Sequence, residues 1–442
     1  MSREICQRWA QLVEQGPDEL VVIHGAQRWT RRELNLLAKQ YHEQLRGLRL
    51  KQMGVALHLP NSADWLAAFL ALRWFGAVVI PFDASATHDY AQRSAQHLGC
   101  FALQSKSLQT VSDKPRQWKS NVALLKVTSG SSGTPKAIPF TESELCADAD
   151  NIIATMGLRA NDLNFALLPF AHSYALGNLV VPLLTSGIPL AIGSTPLPRV
   201  IAEEITESGA TVFPSVPSVF DAFTKFEHID LGKLRLCISA AAPLSSKLAQ
   251  KFREQYGLYI HNFYGASECG GIAYDRTGIA GVTGESIGQP MENVSLSITQ
   301  RGLLRVQSAA VSSYGRSIDA SGRSRFTLDD KVSFLADGSI VMCGRADRIV
   351  KCAGKRIDLA ALEHVAVTTP GIDCATALHD VRNDRLLVAI QGQTLADVAL
   401  ANLQTAFPYL QGRIRVKRLL KIPTNARGKI DTATLMKRML SS

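Results

Sequence analysis

The segment Val127-Thr128-Ser129-Gly130-Ser131-Ser132-Gly133-Thr134-Pro135-Lys136 is the sharpest chemical signal in the chain. Glycine tolerates positive φ and lets the main chain approach a ligand closely, so successive N–H groups can line an anion. The hydroxyls of Thr128, Ser129, Ser131 and Ser132 add donors, and Lys136 adds a point charge. An apolar strand runs directly into the segment and a helix-compatible stretch begins a few residues after it, which reads as a phosphate cradle. It is not a Walker loop, because Lys136 follows Gly133-Thr134-Pro135 and no Gly-Lys-Ser/Thr ending is present. Taken alone, the segment also fits an ordinary Gly/Ser surface loop. His172 is a single histidine among apolar residues, as consistent with a satisfied core or gate position as with catalysis.

The elements that must position these residues alternate. Strand candidates are 53–60, 77–82, 122–127, 163–170, 188–192, 234–239 and 259–265, with amphipathic stretches at Ala63–Phe75, Glu142–Met156, Val200–Glu207 and Leu248–Tyr256 between them. Such alternation argues an α/β body with mostly parallel sheets. From about Asp347 the pattern changes to a helix at Leu359–Thr368, a hairpin at Ala375–Ala389 turning at Arg382-Asn383-Asp384, a helix at Leu395–Phe407 and a basic strand at Arg413–Lys421. The expected organisation is a large α/β domain over residues 1–346 and a small α+β domain over 347–442.

The 442 residues allow two or three domains, and 46% hydrophobic with 19% charged residues and a mean hydropathy of +0.04 support a buried core. The net charge of +10 points to an anionic partner. From Arg345 onward there are 16 basic and 8 acidic residues, so most of the excess lies in the C-terminal part and a basic nucleic-acid coat is disfavoured. No apolar run reaches the roughly 18–20 residues of a membrane span. The polar start, MSREICQRWAQLVEQG, carries no secretory apolar region. Eight scattered cysteines, never closer than nine positions, offer neither a CxxC zinc pair nor a compact disulfide framework, so reduced thiols and a cytoplasmic location are expected.

Thr128–Lys136 resembles the phosphate loop of the adenylate-forming superfamily: acyl- and aryl-CoA synthetases, peptide-synthetase adenylation domains and luciferases. Further landmarks follow in order. Trp29-Thr30-Arg31-Arg32-Glu33-Leu34 resembles a "TYxEL" helix start, while Leu59-Pro60-Asn61 and Gly76 to Pro81 look like the next two. Leu168 to Tyr174 is similar to a "P-x-x-H" segment and Ser239-Ala240-Ala241-Ala242-Pro243-Leu244 to "SGGAPL", with alanines in place of both glycines. Phe263-Tyr264-Gly265-Ala266-Ser267-Glu268 resembles "YGxTE". Gly344-Arg345-Ala346-Asp347 with Lys351 and Gly354 resembles "GRxDxxxKxxG", and Pro423 to Gly428-Lys429-Ile430-Asp431 the C-terminal "GK" motif.

What the resemblance implies is activation of a carboxylate by ATP to an acyl-adenylate and pyrophosphate, then transfer to a thiol. Joining two anions requires positive charge and donors at the α-phosphate. By resemblance Lys429 bridges carboxylate and α-phosphate, the Thr128–Lys136 loop holds pyrophosphate, and Glu268 is the Mg²⁺ carboxylate. Ser267 would contact phosphate, and Tyr264 or Gly265, with Ala241 and Ala242, would lie against adenine. Asp330, seven residues before the Asp337-Gly338 turn, would hold the ribose hydroxyls with Arg345, although Leu328-Asp329 replaces the usual Thr-Gly. Asp347 would be the hinge, and Lys351 to Gly354 would face a thiol channel. His172, Ser239, Ala240, Gly270 and Gly271, with Phe213, Pro214 and Val216, are acyl-pocket candidates. Ala171 to Gly177 holds no aspartate that would select an amino acid's ammonium group, which favours a fatty, aryl or hydroxyaryl acid. The compact length is similar to bacterial AMP-ligases of aryl-polyene or fatty-acid-like pathways. CoA or an acidic acyl carrier protein is the expected acceptor, the carrier suiting the basic cluster Arg413, Arg415, Lys417, Arg418 and Lys421. An amine-accepting adenylating enzyme and a catalytically silent nucleotide-binding relative are the competing readings.

Overall fold

The computed structural model describes residues 3–105, 107–129, 135–226, 229–314, 316, 318–424 and 430–441, with the main chain alone at 128, 129, 135, 136, 347 and 356. Two compact units result: Met1–Leu296 with Arg305–Phe326 and Leu335–Ile340, and Ser297–Leu304 with Thr327–Phe334 and Val341–Ser442.

The first unit is α/β. Its larger sheet runs in the order Gln289–Pro290, Gly270–Tyr274, Ile260–Ala266, Leu236–Ser239, Val212–Ser215, Asn164–Ala166, Leu190–Ile192, Leu20–His24, Gln27–Thr30. The six central strands are parallel and the outer pairings antiparallel. The second sheet runs Leu108–Thr110, Ala102–Gln104, Gly54–Leu57, Val78–Pro81, Leu124–Ser129, Pro135–Phe140, again parallel inside and antiparallel at both ends.

Local chemistry explains the helices between them. Ala63–Phe75, expected to be amphipathic, is instead buried nearly all round: apart from exposed Asp64 and the buried, ion-paired Arg73 its residues are apolar, as a helix packed on all sides requires. Ser62 caps its start by accepting from Trp65 N–H, and Gly76 ends it with φ 72. Glu142–Met156 begins with a capping box between Thr141 and Glu144. Arg31–Gln44 does the same with Thr30 and Glu33, the pair seen in the sequence.

The second unit carries the antiparallel hairpin Ile372–Asp380 and Arg385–Gly392, joined in parallel by Ile414–Arg418 through the crossover helix Ala396–Ala406. The unit also holds the helices Leu359–Thr368 and Thr432–Leu440, the hairpin Ile349–Cys352 with Lys355–Asp358, and strand segments at Ser297–Leu304, Thr327–Phe334 and after Val341. Its core gathers Leu362, Ala366, Val388, Ile390, Leu403 and Leu410. Among the described residues no helix is long and apolar enough to cross a membrane.

Candidate active site

The strands Ile260–Ala266 and Gly270–Tyr274 form a hairpin whose tip is Ser267-Glu268-Cys269. Cys269 N–H closes the turn on Ala266 O at 3.1 Å, and Ser312 N–H donates to Glu268 O at 3.0 Å. The main chain under Glu268 is thereby fixed while its side chain stays half-buried. The Ser267 hydroxyl lies 3.3 Å from that of Ser173, the first residue of the helical segment after His172.

Tyr174 in that segment stacks on Phe263 with centroids 5.5 Å apart and donates its O–H to Ile238 O at 3.2 Å. Burial pushes the Tyr174 phenol up, so it stays a neutral donor. His172 Nε2 lies 2.7 Å from Asp83 Oδ2. Burial would raise the Asp83 carboxyl, but the contacts to His172 and Ser85 outweigh it and hold the group below the usual carboxylate range. Segments around 83, 172–174, 238 and 263–268 thus converge where parallel strands end, the usual ligand position in an open α/β sheet.

The glycine-rich segment is built differently from its expected strand-to-helix form. Leu124–Ser129 pairs antiparallel with Pro135–Phe140, Thr128 opposite Lys136 and Ser129 opposite Pro135. A return strand therefore comes first, and the helix Glu142–Met156 starts only after it, with its own capping box occupying its first turn. Gly130, Ser131, Ser132, Gly133 and Thr134, and the side chains of Thr128, Ser129 and Lys136, lie outside the described residues.

Ser239 is fully buried, on the same side of its strand as Cys237, which belongs to the apolar cluster with Phe213 and Phe220. Ala240 is buried, Ala241 exposed and Ala242 between the two. Ala241 adopts φ 69, the conformation that the glycine of "SGGAPL" takes without strain. Tyr264 and Gly265 precede the tip on its incoming strand, and Gly270 and Gly271 begin the outgoing one.

In the second unit, Asp330 lies in Ser324–Phe334 and Arg345 ends Ile340–Arg345. Arg345 Nη1 and Asp330 Oδ1 are 3.4 Å apart, with the aspartate buried and the arginine half-exposed. Asp337 turns the chain between these strands by accepting from Ser339 N–H at 2.9 Å. Ala346–Arg348 is one 3-10 turn, and the Asp347 side chain lies outside the described residues. Thr424 and Ile430 pair as an isolated bridge that brackets 425–429. Lys429 itself lies outside the described residues.

For Mg²⁺ the first unit offers the Glu268 carboxylate and nearby Ser267 and Ser173 hydroxyls, hard oxygen donors suited to this ion. One carboxylate leaves the remaining positions to phosphate oxygens and water, which is how Mg²⁺ is bound at nucleotides. The only described group of three His, Cys, Asp or Glu side chains close enough to share an ion is Cys352, His379 and Asp384, in the second unit.

Sequence reasoning missed Asp83 and Ser173. Asp83 carries no motif signal of its own, and Ser173 lies inside the "P-x-x-H" segment without being marked by it, since their contacts are with residues 89 and 94 positions away.

A sequence profile described as "AMP-binding enzyme" matches residues 7–116 and 92–308. Feruloyl-CoA synthase of Amycolatopsis sp is 24% identical over 294 residues, covering 60% of this chain and 60% of that protein. Tyrocidine synthase 3 of Brevibacillus parabrevis is 22% identical over 505 residues, covering 99% of this chain and 8% of that protein. The chain thus spans less than two thirds of either relative. Among solved structures, Klebsiella oxytoca NpsA in complex with 3-hydroxyanthranilyl-AMSN superposes with a TM-score of 0.81 at 19% identity, covering 100% of both chains. The anthranilate CoA ligase AuaEII in complex with anthranoyl-AMP gives 0.78 at 18% identity, covering 99% of both. The α/β fold is shared with these enzymes.

Proposed function

The chain belongs to the AMP-binding enzymes of the adenylate-forming superfamily, and on that premise we propose that it is an ATP-dependent ligase of a fatty or aryl, including hydroxyaryl, carboxylic acid with a thiol acceptor. In the first half-reaction a carboxylate oxygen attacks the α-phosphorus, the Pα–O–Pβ bond breaks, and pyrophosphate leaves. In the second, the acceptor sulfur attacks the acyl carbonyl carbon and AMP leaves with the attacking oxygen. The observation that carries this reading is the Ser267-Glu268 tip, held by Ser312 and touching Ser173 at the carboxyl ends of parallel strands.

On this reading the Ser267 and Ser173 hydroxyls donate to phosphate oxygens, and the glycine-rich segment with Lys136 holds the departing pyrophosphate. Mg²⁺ held by Glu268 would neutralise phosphate charge. Asp330 and Arg345 take the ribose, and Lys429 bridges carboxylate and α-phosphate while the second domain, turning about Asp347, is closed. His172 and Asp83 border the acyl side. Feruloyl-CoA synthase and the anthranilate CoA ligase are named for aryl acids, which supports the aryl class. The His172–Asp83 pair would also serve an amine acceptor as a base, the second reading.

The test is acid-dependent exchange of labelled pyrophosphate into ATP across aliphatic and aryl acids, followed by acceptors: CoA, a holo carrier protein and an amine. Exchange with at least one acid, and product with a thiol, is expected. No exchange across the panel refutes the ligase reading, and product with the amine alone selects the second. Lys429→Ala is expected to abolish exchange yet still transfer the acyl group from a supplied acyl-adenylate. For the carrier, Arg415 and Lys421 are the cations to reverse, because both are exposed whereas Lys417 Nζ caps the carbonyls of Arg438 and Ser441 at 3.0 and 2.6 Å. Their reversal should weaken transfer to a carrier and spare exchange.

A further inference from the structure

A lysine and an aspartate are buried together beneath the candidate site. Lys126 lies in the apolar strand Leu124–Ser129 and Asp148 in the helix Glu142–Met156, each 3% exposed. Their Nζ and Oδ2 atoms are 4.0 Å apart, and the ammonium sits 4.2 Å over the Phe140 ring. Asp148 Oδ1 accepts the Gly271 N–H at 2.8 Å. The carboxylate fills a slot that only glycine leaves open. A Cβ at Gly177 would come within 2.9 Å of Oδ2, and one at Gly270, where φ is 72, would collide with the group.

Burying two charges is costly and is not by itself a route to stability, so a pair spent on one main-chain N–H calls for a reason. That N–H belongs to the strand leaving the Ser267-Glu268 tip. The Glu144 and Glu268 carboxylates also act on Lys126 electrostatically, so the pair shares the charge environment of the same tip. We propose that Asp148, neutralised by Lys126, is a positioning residue that fixes the Gly270-Gly271 arm of the hairpin and thereby the placement of Ser267 and Glu268 for nucleotide. The inference rests on the adenylation reading for its kinetic consequence. Its structural consequence does not depend on that reading.

Three proteins are compared: wild type, Asp148→Leu, and Lys126→Met/Asp148→Asn. The double variant keeps an oxygen for Gly271 N–H without leaving a lone buried charge. Hydrogen–deuterium exchange over 263–272 and the apparent KM for Mg·ATP and for the acid are measured on each. In Asp148→Leu the hairpin amides are expected to exchange at least about tenfold faster, because loss of a buried acceptor opens the local structure. The KM for Mg·ATP should rise about tenfold while that for the acid changes by less than about threefold, since a misplaced group degrades the step it serves. The double variant should recover both readouts to within about threefold of wild type. A folded Asp148→Leu protein with wild-type hairpin protection overturns the inference, as does a rise in the acid KM alone or a double variant as impaired as Asp148→Leu. Absence of exchange activity in the wild type would instead refute the ligase reading, and hairpin protection would still decide the positioning role.

Discussion

Glu142 and Arg73 form a second buried pair, and the consequence of breaking it can be worked out. Glu142 Oε1 accepts from Arg73 Nε at 2.8 Å, its Oε2 accepts from Ile5 N–H at 3.0 Å, and the side chains are 1% and 5% exposed. Arg73 also donates to the carbonyls of Ala77 and Ala123. One carboxylate therefore ties together the helices Glu4–Gln15, Ala63–Phe75 and Glu142–Met156. Glu142→Gln leaves a buried guanidinium without its counter-charge, a change worth about 3–5 kcal/mol. With roughly 2.1 cal/mol/K of unfolding entropy per residue over the roughly 320 residues of the first unit, that loss lowers the midpoint by about 4–7 °C. Urea unfolding and calorimetry on the two proteins measure it. Arg73→Met/Glu142→Leu removes both charges and should recover more than half of the loss. A single variant within about 1 kcal/mol of wild type, or a double variant less stable than the single, refutes the reasoning.

Ala241→Gly relieves a left-handed alanine and should stabilise by about 0.5–1 kcal/mol, net of the added freedom of the unfolded chain; a lowered midpoint would contradict this. Among the eight cysteines only Cys343 and Cys374 are exposed, so a thiol reagent should find two fast groups in the native protein and the rest on unfolding. Although Cys374 is exposed as a residue, local desolvation around its thiol and the neighbouring Glu363 and Asp373 carboxylates raise it, so Cys343 should react first. Asp83 is held below its unfolded value near 3.9, so its contribution is present above that value and disappears as pH falls through the folded one. The stability difference between wild type and Asp83→Asn should accordingly shrink from pH 7 to pH 3, as read by urea unfolding at each pH.

Elements with a strong local pattern were legible in the sequence. The helices Ala63–Phe75, Glu142–Met156 and Leu359–Thr368 appear with the expected limits, because Ser62, Thr141 and Asp358 cap their starts and Gly76 and Gly157 stop the first two. The return strand Pro135–Phe140 was not legible: it begins with proline and takes its conformation from pairing with Leu124–Ser129. The N-terminal hairpin Leu20–His24 and Gln27–Thr30 was likewise hidden, its polar second strand owing its place to its neighbour. Ordered motifs pointed to Ser267, Glu268, Tyr174 and Tyr264, and the structure groups these around one hairpin tip. The Lys126–Asp148 pair left a readable trace, a lysine inside an apolar strand run, yet its partner lies on another element and emerges only from packing.

Oxygen tracing tests the central claim most directly. If the chain adenylates a carboxylate, an acid labelled with ¹⁸O in its carboxylate, given ATP and a thiol acceptor, must place one labelled oxygen in AMP at each turnover. Mass spectrometry should then show AMP heavier by one ¹⁸O in proportion to acyl product. Product formed with unlabelled AMP, or with ADP in its place, would contradict the account.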